Sequence, residues 1–303
     1  MRAGPLILAT LVGLAVAGPV LPAPLQQVDR SASVAADVDV EIYNVSGSVR
    51  VTGWDREEVR VRGTLGEGVE RLSFEDDHDG VEIAVVAPRG RRREAGPQVG
   101  ESHLEIMVPR GASVEVEALA AAIDVEGVDG DVRMESSAGN LTYVGGSRSL
   151  EADAAGGDIV VTTSATDAEI DIEGVAGNVL VELAGGSVDA TTLTGGLRII
   201  GGRLRGGDFE SVSGSIYFEG EIASGAELDF RNFNGDIELL LPGETSATFD
   251  ISSYSGSIQT EFGYEGRAVE AYSPEQEAEF TLGAGGAEVS IETFSGVVRV
   301  RRQ

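Results

Sequence analysis

Short segments in which apolar and polar residues alternate recur along most of the chain. Each begins with a small residue and a polar residue and continues apolar–polar–apolar, as in Gly139–Tyr143, Gly157–Val161 and Gly177–Val181. An alternation of period two is typical of a β-strand with one buried face. Because no segment keeps a 3.6-residue period over the length of a helix, the pattern predicts an all-β protein.

The small residues fall into two interleaved sets, each with steps of 18 to 22 residues. One set runs through Gly157, Gly177 and Gly195, and the other runs through Ala168 and Gly186. Internal repeats of this kind are typical of stacked repeat architectures. The two sets predict a β-solenoid (β-helix-like) with about two strands per ~20-residue coil, each strand lying on its equivalent in the next coil.

A solenoid of this kind requires two walls of inward-facing apolar side chains. We expect the first wall to contain Leu141, Ile159, Val179, Leu197, Ile216, Ile237, Ile258, Phe280 and Val298. We expect the second to contain Val132, Leu150, Ile170, Val188, Phe209, Leu228, Phe249, Val269 and Val289. The residues between them are mostly charged or polar, which predicts a solvated outer face.

The competing fold is an antiparallel meander or β-sandwich, which also has strands at intervals of 8–12 residues. It does not require every second strand to resemble its predecessor, so the double repeat favours the solenoid. Residues 111–303 are predicted to form the regular solenoid, and residues 34–110 an irregular N-terminal β region that supplies its first coils or a small β cap. Arg301 and Arg302 are predicted to protect the exposed edge of the last coil.

The N-terminus has the organisation of a signal peptide. Arg2 precedes an apolar run from Leu6 to Val16, which is too short to span a bilayer. Cleavage is expected after Ala17 or Ala23, so residues 1–23 are assigned to the signal peptide. The mature chain, which has no other long apolar stretch, is expected to lack a transmembrane segment and to reside in the periplasm or on the cell surface.

Charge and composition narrow the chemistry. The chain has 51 acidic and 22 basic residues, a formal net charge of −29, two histidines and no cysteine. These numbers exclude disulfides and thiolate zinc sites, and the charge disfavours nucleic acid as a partner. After residue 110 there are 34 acidic but only 10 basic residues, so the predicted solenoid body is strongly negative.

Four aspartates, Asp131, Asp158, Asp208 and Asp236, follow a glycine at predicted coil corners. Stacked aspartates bind Ca²⁺ in some solenoids, but the required Gly-Gly-x-Gly-x-Asp order is absent, and we interpret them as turn residues. The other carboxylates are spread over every coil without a local cluster. The sequence therefore predicts no metal site, no cofactor, no catalytic residue and no enzymatic activity.

Two groups of residues are candidates for contact with a partner. Arg89, Arg91, Arg92 and Arg93 form a basic cluster within an insertion, which either contacts lipid phosphates or an acidic partner or is a solvated loop. Phe262, Tyr264 and Tyr272 flank a segment in which the repeat loosens, and they predict an exposed aromatic patch. Most of the other aromatic residues of the C-terminal half, a group that includes Phe233, Tyr254 and Phe294, are expected at inward or corner positions, stacked in the core.

Two segments carry a family resemblance. Tyr43–Asp55 (YNVSGSVRVTGWD) and His103–Ala112 (HLEIMVPRGA), with the Ser-Gly-polar repeats behind them, resemble the DUF4097 family of exported bacterial β-strand-repeat proteins, which are often labelled adhesins. The resemblance covers nearly all of the predicted mature chain and implies a β-solenoid at the cell envelope. It carries over no catalytic residue.

The sequence thus predicts a non-enzymatic, adhesin-like interaction module of the cell envelope. Its partner would be an envelope or surface component, either a protein or a glycan. A sensor or scaffold in envelope-stress signalling is the alternative, with the arginine cluster as its contact. A carbohydrate-active β-helix enzyme is a third hypothesis from a different class.

Overall fold

The computed structural model describes residues 26–77, 80–88, 99–269 and 274–303. Within these ranges the chain forms strands and turns and no helix, so the fold is all-β as predicted. The first eight strands are β1 (Gln26–Ser33), β2 (Asp39–Trp54), β3 (Glu58–Leu65), β4 (Arg71–Asp76), β5 (Val81–Val86), β6 (Ser102–Pro109), β7 (Ser113–Glu126) and β8 (Val132–Ser136). The next eight are β9 (Leu141–Gly145), β10 (Ser149–Ala154), β11 (Ile159–Thr163), β12 (Ala168–Ala176), β13 (Val179–Leu183), β14 (Gly185–Thr194), β15 (Leu197–Ser213) and β16 (Ile216–Asn234). The last seven are β17 (Ile237–Leu241), β18 (Ala247–Ser253), β19 (Ser257–Thr260), β20 (Arg267–Ala268), β21 (Gln276–Leu282), β22 (Glu288–Ser295) and β23 (Val297–Arg302).

Strands about twenty residues apart pair in parallel and in register. Ile159 lies opposite Leu141 on one side and Val179 on the other. From β7 to β17 every strand pairs with its equivalent in the next repeat, and all of these pairs are parallel. The antiparallel meander is therefore wrong for this part of the chain.

The strands form two ladders. The first ladder contains, in spatial order, β4, β5, β2, β7, β8, β10, β12, β14, β15, β16, β22, β18, β21 and β20. The second contains β1, β3, β6, β2, β7, β9, β11, β13, β15, β16, β17, β23 and β19. The long strands β2, β7, β15 and β16 contribute one half to each ladder, so the chain passes from one ladder to the other within a strand.

Chain order and spatial order differ at the C-terminal end. β22 lies between β16 and β18, and β23 lies between β17 and β19. The last strands of the chain therefore form an internal layer with a neighbour on each side. The prediction that Arg301 and Arg302 protect an open edge is wrong. Arg301 instead forms an ion pair with Glu238 of the adjacent β17 at 2.9 Å.

Antiparallel pairs occupy the two ends of the stack. At the N-terminal end β1 pairs with β3, β3 with β6, and β4 with β5. At the C-terminal end β21 pairs with β18 and β20 pairs with β21. The first ladder thus ends in the two-residue strand β20 at its C-terminal end, and a short edge strand limits edge-to-edge association.

Most predicted wall residues are buried, and three are placed differently from the prediction. Phe280 belongs to the other ladder, where its ring stacks on Phe249 with centroids 4.9 Å apart. Val269 follows the short hairpin strand β20 and is exposed. Phe209 lies opposite Ala190 and Phe230, whereas Gly207 stands between Val188 and Leu228, because the register between β14 and β15 shifts at Gly186. The Phe209 ring lies where a side chain at Gly207 would be.

Candidate interaction surface

A four-residue motif forms the corner between the first and the second ladder in successive layers. It consists of a small polar residue, an apolar residue, a second small polar residue and glycine, and its clearest copies are Thr192–Gly195, Ser211–Gly214, Asn232–Gly235, Ser253–Gly256 and Thr293–Gly296. The first residue of each copy is buried. The Asn232 side-chain amide donates a hydrogen bond to the Gly214 carbonyl at 2.7 Å, and the Ser211 hydroxyl donates one to the Gly195 carbonyl at 3.3 Å.

The second residue of the motif faces solvent, because the first occupies the interior and side chains alternate along a strand. Six consecutive layers carry an exposed apolar residue there, and together we name them the corner ridge: Val175, Leu193, Val212, Phe233, Phe294 and Tyr254. Each is between 39% and 57% exposed. Their neighbours on both sides pair in register across the layers, so the six side chains lie in one line.

The three aromatic rings of the corner ridge stack on one another. The Phe233 and Phe294 rings have centroids 4.8 Å apart and planes 5° apart, and the Tyr254 and Phe294 rings are 4.8 Å and 10° apart. Both faces of Phe294 are therefore covered by neighbouring rings, and the ring edges point outward. These three residues stack at a corner, but they lie on the surface, so the expectation of core packing is wrong for them.

Charged residues follow one side of the corner ridge. Two positions before each ridge residue stand Glu173, Thr191, Glu210, Arg231, Glu292 and Ser252 in register. Arg231 is engaged by Asp208 at 3.0 Å and Glu210 at 3.9 Å, and the attraction of Asp208 raises the pKa of this guanidinium. Within the described ranges neither Glu173 nor Glu292 takes part in an ion pair. A shallow groove of about 340 Å³ separates Glu210 and Glu292 from the rings.

The outer face of the first ladder carries a row of carboxylates. Five consecutive layers contribute one acid each, in the order Glu151, Asp171, Asp189, Asp208 and Asp229. Arg133 lies at one end of this row and forms ion pairs with Glu115, Glu151 and Asp153.

The crowding on this face shifts two carboxyl groups. Burial, together with the charge of Glu151, raises the pKa of Asp153 to about 6. Burial and the charge of Asp189 raise the pKa of Asp171. In both groups burial is the larger cause, and repulsion by neighbouring carboxylates adds to it.

The predicted turn aspartates have different surroundings. The Asp158 side chain accepts a hydrogen bond from the Asn178 backbone amide at 2.8 Å, as a turn residue should. Asp236 accepts one from the Val297 amide and forms a 2.7 Å ion pair with Arg299, which together lower its pKa. Asp208 does not lie at a corner, because it stands within β15 opposite Asp189 and Asp229. Across the part of the chain that is described, no three His, Asp or Glu side chains are grouped as metal ligands would be.

The predicted contact residues are only partly within the structure. Arg89, Arg91, Arg92, Arg93 and Tyr272 lie outside the described residues, as do residues 1–23. Phe262 and Tyr264 lie at the C-terminal end of the stack. Arg302 lies over the Phe262 ring at 5.0 Å, and Tyr264 stacks on Phe280 with centroids 4.5 Å apart. These two residues are about 40% exposed or less, and no further structural observation bears on their predicted role as contacts.

The corner ridge escaped the sequence interpretation although its signal is present. Thr-Leu-Thr-Gly, Ser-Val-Ser-Gly, Asn-Phe-Asn-Gly, Ser-Tyr-Ser-Gly and Thr-Phe-Ser-Gly are five versions of one motif. The apolar residue in each is flanked by polar residues. Alternation alone does not say whether the apolar residue or its polar neighbours face the core. The assignment of the apolar residue to the surface required knowing that the polar residue before it is buried in all five copies, where Ser211 and Asn232 bind corner carbonyls.

Within the described ranges there is no helix long and apolar enough to cross a membrane.

No curated protein sequence matches the chain. Several solved structures are similar to the chain at low sequence identity. A crystal structure described as a "putative adhesin" from Bacteroides fragilis is 10% identical, with a TM-score of 0.43, and covers 90% of this chain and 97% of its own. A second "putative adhesin", from Parabacteroides distasonis, is 12% identical with a TM-score of 0.41 over 91% of this chain and 97% of its own.

A third structure, described as a "putative lipid binding protein" from Parabacteroides distasonis, is 10% identical with a TM-score of 0.40, covering 90% of this chain and 96% of its own. The family evidence is much more direct. The family model described as Toastrack DUF4097 matches residues 39–301, from the first residue of β2 to the penultimate residue of β23. The resemblance noted in the sequence is confirmed, and this chain belongs to the DUF4097 (Toastrack) family.

Proposed function

We propose that this chain is an exported, non-enzymatic interaction module of the bacterial cell envelope, in which the two ladders wind as a β-solenoid that displays a binding surface. The corner ridge is the observation that carries the proposal. Six apolar side chains stand in a line on the surface at positions where the fold itself requires no apolar residue. A contiguous exposed apolar patch is typical of a site at which a protein binds a partner.

The scaffold suits that role. Five of the six ridge residues lie within strands, and Tyr254 directly follows β18 and donates its backbone N–H to the Thr293 carbonyl. The side chains are therefore presented at the spacing of the paired layers. A preorganised surface loses little conformational entropy when it binds. The acidic outer face adds long-range attraction for cationic partners and suppresses association between copies.

Site-specific photo-crosslinking in the producing cells tests the interaction role. A benzophenone amino acid in place of Phe233 is expected to give a cross-linked product with an envelope component. The same amino acid in place of Val144, an exposed residue of β9 away from the ridge, serves as the matched control. Absence of a product from Phe233, or an identical product from Val144, would contradict the proposal.

Export is tested separately by N-terminal sequencing of the chain recovered from the envelope fraction. The mature protein is expected to begin at Gly18 or Pro24, after cleavage at one of the two predicted sites. Recovery of the intact N-terminus from the cytoplasm would contradict export. Turnover of an envelope polysaccharide that is lost in a single Asp→Asn variant would contradict the non-enzymatic assignment.

A further inference from the structure

The spacing of the corner ridge discriminates between kinds of polypeptide partner. Adjacent strands in a sheet lie about 4.8 Å apart, so the six ridge residues span roughly 24 Å. Side chains on one side of an extended strand recur about every 6.8 Å, which falls out of step with the ridge within two layers. One stripe of an α-helix recurs about every 5.4 Å, and roughly 16 residues of helix cover the same length.

Charge sets the polar character of that helix. Glu173, Glu210 and Glu292 accompany the ridge on one side, with the row from Glu151 to Asp229 beyond them. Arg231 is the cation of this flank, and it is already paired with Asp208 and Glu210. A helix with basic residues beside its apolar stripe is therefore complementary, whereas an anionic membrane surface or a second copy of this chain would bring like charges together.

The geometry of the rings disfavours a glycan at the same place. A sugar ring packs its C–H groups on the open face of an aromatic ring, because that face is the negative part of the π-system. Both faces of Phe294 are covered by Phe233 and Tyr254. The central ring of the stack therefore presents only its edge, which suits the apolar stripe of a helix better than the face of a sugar.

Building on the proposed function, we propose that the corner ridge docks a basic amphipathic helix of a partner protein, with the apolar stripe of the helix on Val212, Phe233 and Phe294 and its lysine or arginine side chains over Glu210 and Glu292. This corresponds to the helix-in-groove mode of recognition, here at the corner between the two ladders.

The test uses three fluorescent 18-residue peptides and the full chain. The first is a helix of leucine and lysine with one apolar stripe, the second has glutamate in place of lysine, and the third is a scrambled form of the first without a stripe. Fluorescence anisotropy is expected to show the first peptide binding at least about tenfold more tightly than the other two. Circular dichroism is expected to show a gain of helix on binding, which is readable against an all-β protein.

The variant Val212→Ser/Phe233→Ser/Phe294→Ser is expected to lose at least about tenfold in affinity for the first peptide. Tyr264→Ser, which removes an exposed aromatic residue off the ridge, is the matched control and should stay within about twofold of the wild type. Leu193→Lys adds a repulsive charge outside the ring stack and provides a second ridge variant if the triple variant fails to fold.

Equal binding of the scrambled or the glutamate peptide, or unchanged binding by folded ridge variants, would overturn the proposal. So would a cross-linked product at Phe233 that proves to be a glycan, a lipid or a second copy of the chain. Those outcomes would contradict the helical partner but would leave the proposed interaction function intact. Absence of any cross-linked product would instead count against the interaction role itself.

Discussion

At the scale of single residues, the backbone of the adjacent layer dictates where glycine is required. Gly177 has a φ of +137°, a region that L-residues with a side chain rarely adopt. A Cβ atom at this position would also overlap the carbonyl oxygen of Gly157 in the layer below. The requirement is thus both conformational and steric, and it follows from stacking the layers closely enough for parallel pairing.

Gly177→Ala is therefore expected to lower the free energy of unfolding by about 3 kcal/mol or more. Gly156→Ala is the matched control. Gly156 has no positive φ, and the nearest atom to its added Cβ is the Ser137 carbonyl oxygen at 3.7 Å. Urea denaturation of both variants measures the difference, and equal stability would argue against close stacking at Gly177.

A second residue-scale prediction concerns Asp153, whose pKa is raised to about 6 by burial and by Glu151. Because the folded chain holds this proton more tightly than the unfolded chain, stability should fall as the pH rises from about 4 to above 6. Asp153→Asn should reduce that loss and make the protein more stable than the wild type at pH 7.5, by about 1 kcal/mol or less given solvent screening. Urea denaturation at pH 4.5 and 7.5 measures both effects, with the exposed Glu169→Gln as control. A variant with the same pH dependence as the wild type would contradict the assignment.

At the scale of elements, the C-terminal strands complete the interior of the stack. β22 pairs with both β16 and β18, and β23 pairs with both β17 and β19. The layer formed by β18 and β19 has no direct ladder pairing to β16 and β17, so its attachment depends on strands that come later in the chain. Such non-local pairing is slow to form, because a long loop must close before its contacts are gained.

Deleting residues 287–303 is therefore expected to detach the segment from β18 to β21 from the rest of the protein. Limited proteolysis should cleave the truncated chain within residues 242–286 while residues 113–241 stay protected. Deleting Gln303 alone is the control and should leave the pattern of the full chain unchanged. If the truncated chain resists cleavage throughout, the inserted layer is not required for docking of that segment.

At the scale of the whole molecule, a net charge of −29 opposes folding, and most of this charge lies after residue 110. The parallel ladders place carboxylates of successive layers beside one another, as from Glu151 to Asp229. Repulsion between like charges opposes folding, and dissolved salt screens it over a distance that shortens from about 10 Å at 0.1 M to about 3 Å at 1 M.

Raising NaCl from 0.05 M to 0.5 M is consequently expected to increase Tm by several degrees, roughly 2–4 °C for each kcal/mol of repulsion removed. Differential scanning calorimetry measures the shift. Repeating the scan at pH 4.5, where more carboxyl groups carry a proton, should give a smaller increase. A Tm that falls with added salt at neutral pH would show that ion pairs such as those of Arg133 and Arg231 outweigh the repulsion.

The sequence alone determined the strands, their twenty-residue spacing and most buried positions, because parallel stacking repeats the same environment in every layer and the residues repeat with it. The repeat by itself pairs Ile159 with Val179, since each copy of the motif carries the same alternation. The family could also be assigned from Tyr43–Asp55 and the repeats that follow.

Only the tertiary structure decided the order of the layers at the C-terminal end and the parity of the corner motif. β17, β19 and β23 begin at Ile237, Ser257 and Val297, which are whole multiples of the twenty-residue repeat apart in either spatial order. Insertion of the last strand between the other two therefore leaves no mark in the repeat. Likewise, Phe294 faces outward because the side chain of the preceding residue, Thr293, faces inward. That choice is made by packing against the neighbouring layer and not by the local sequence.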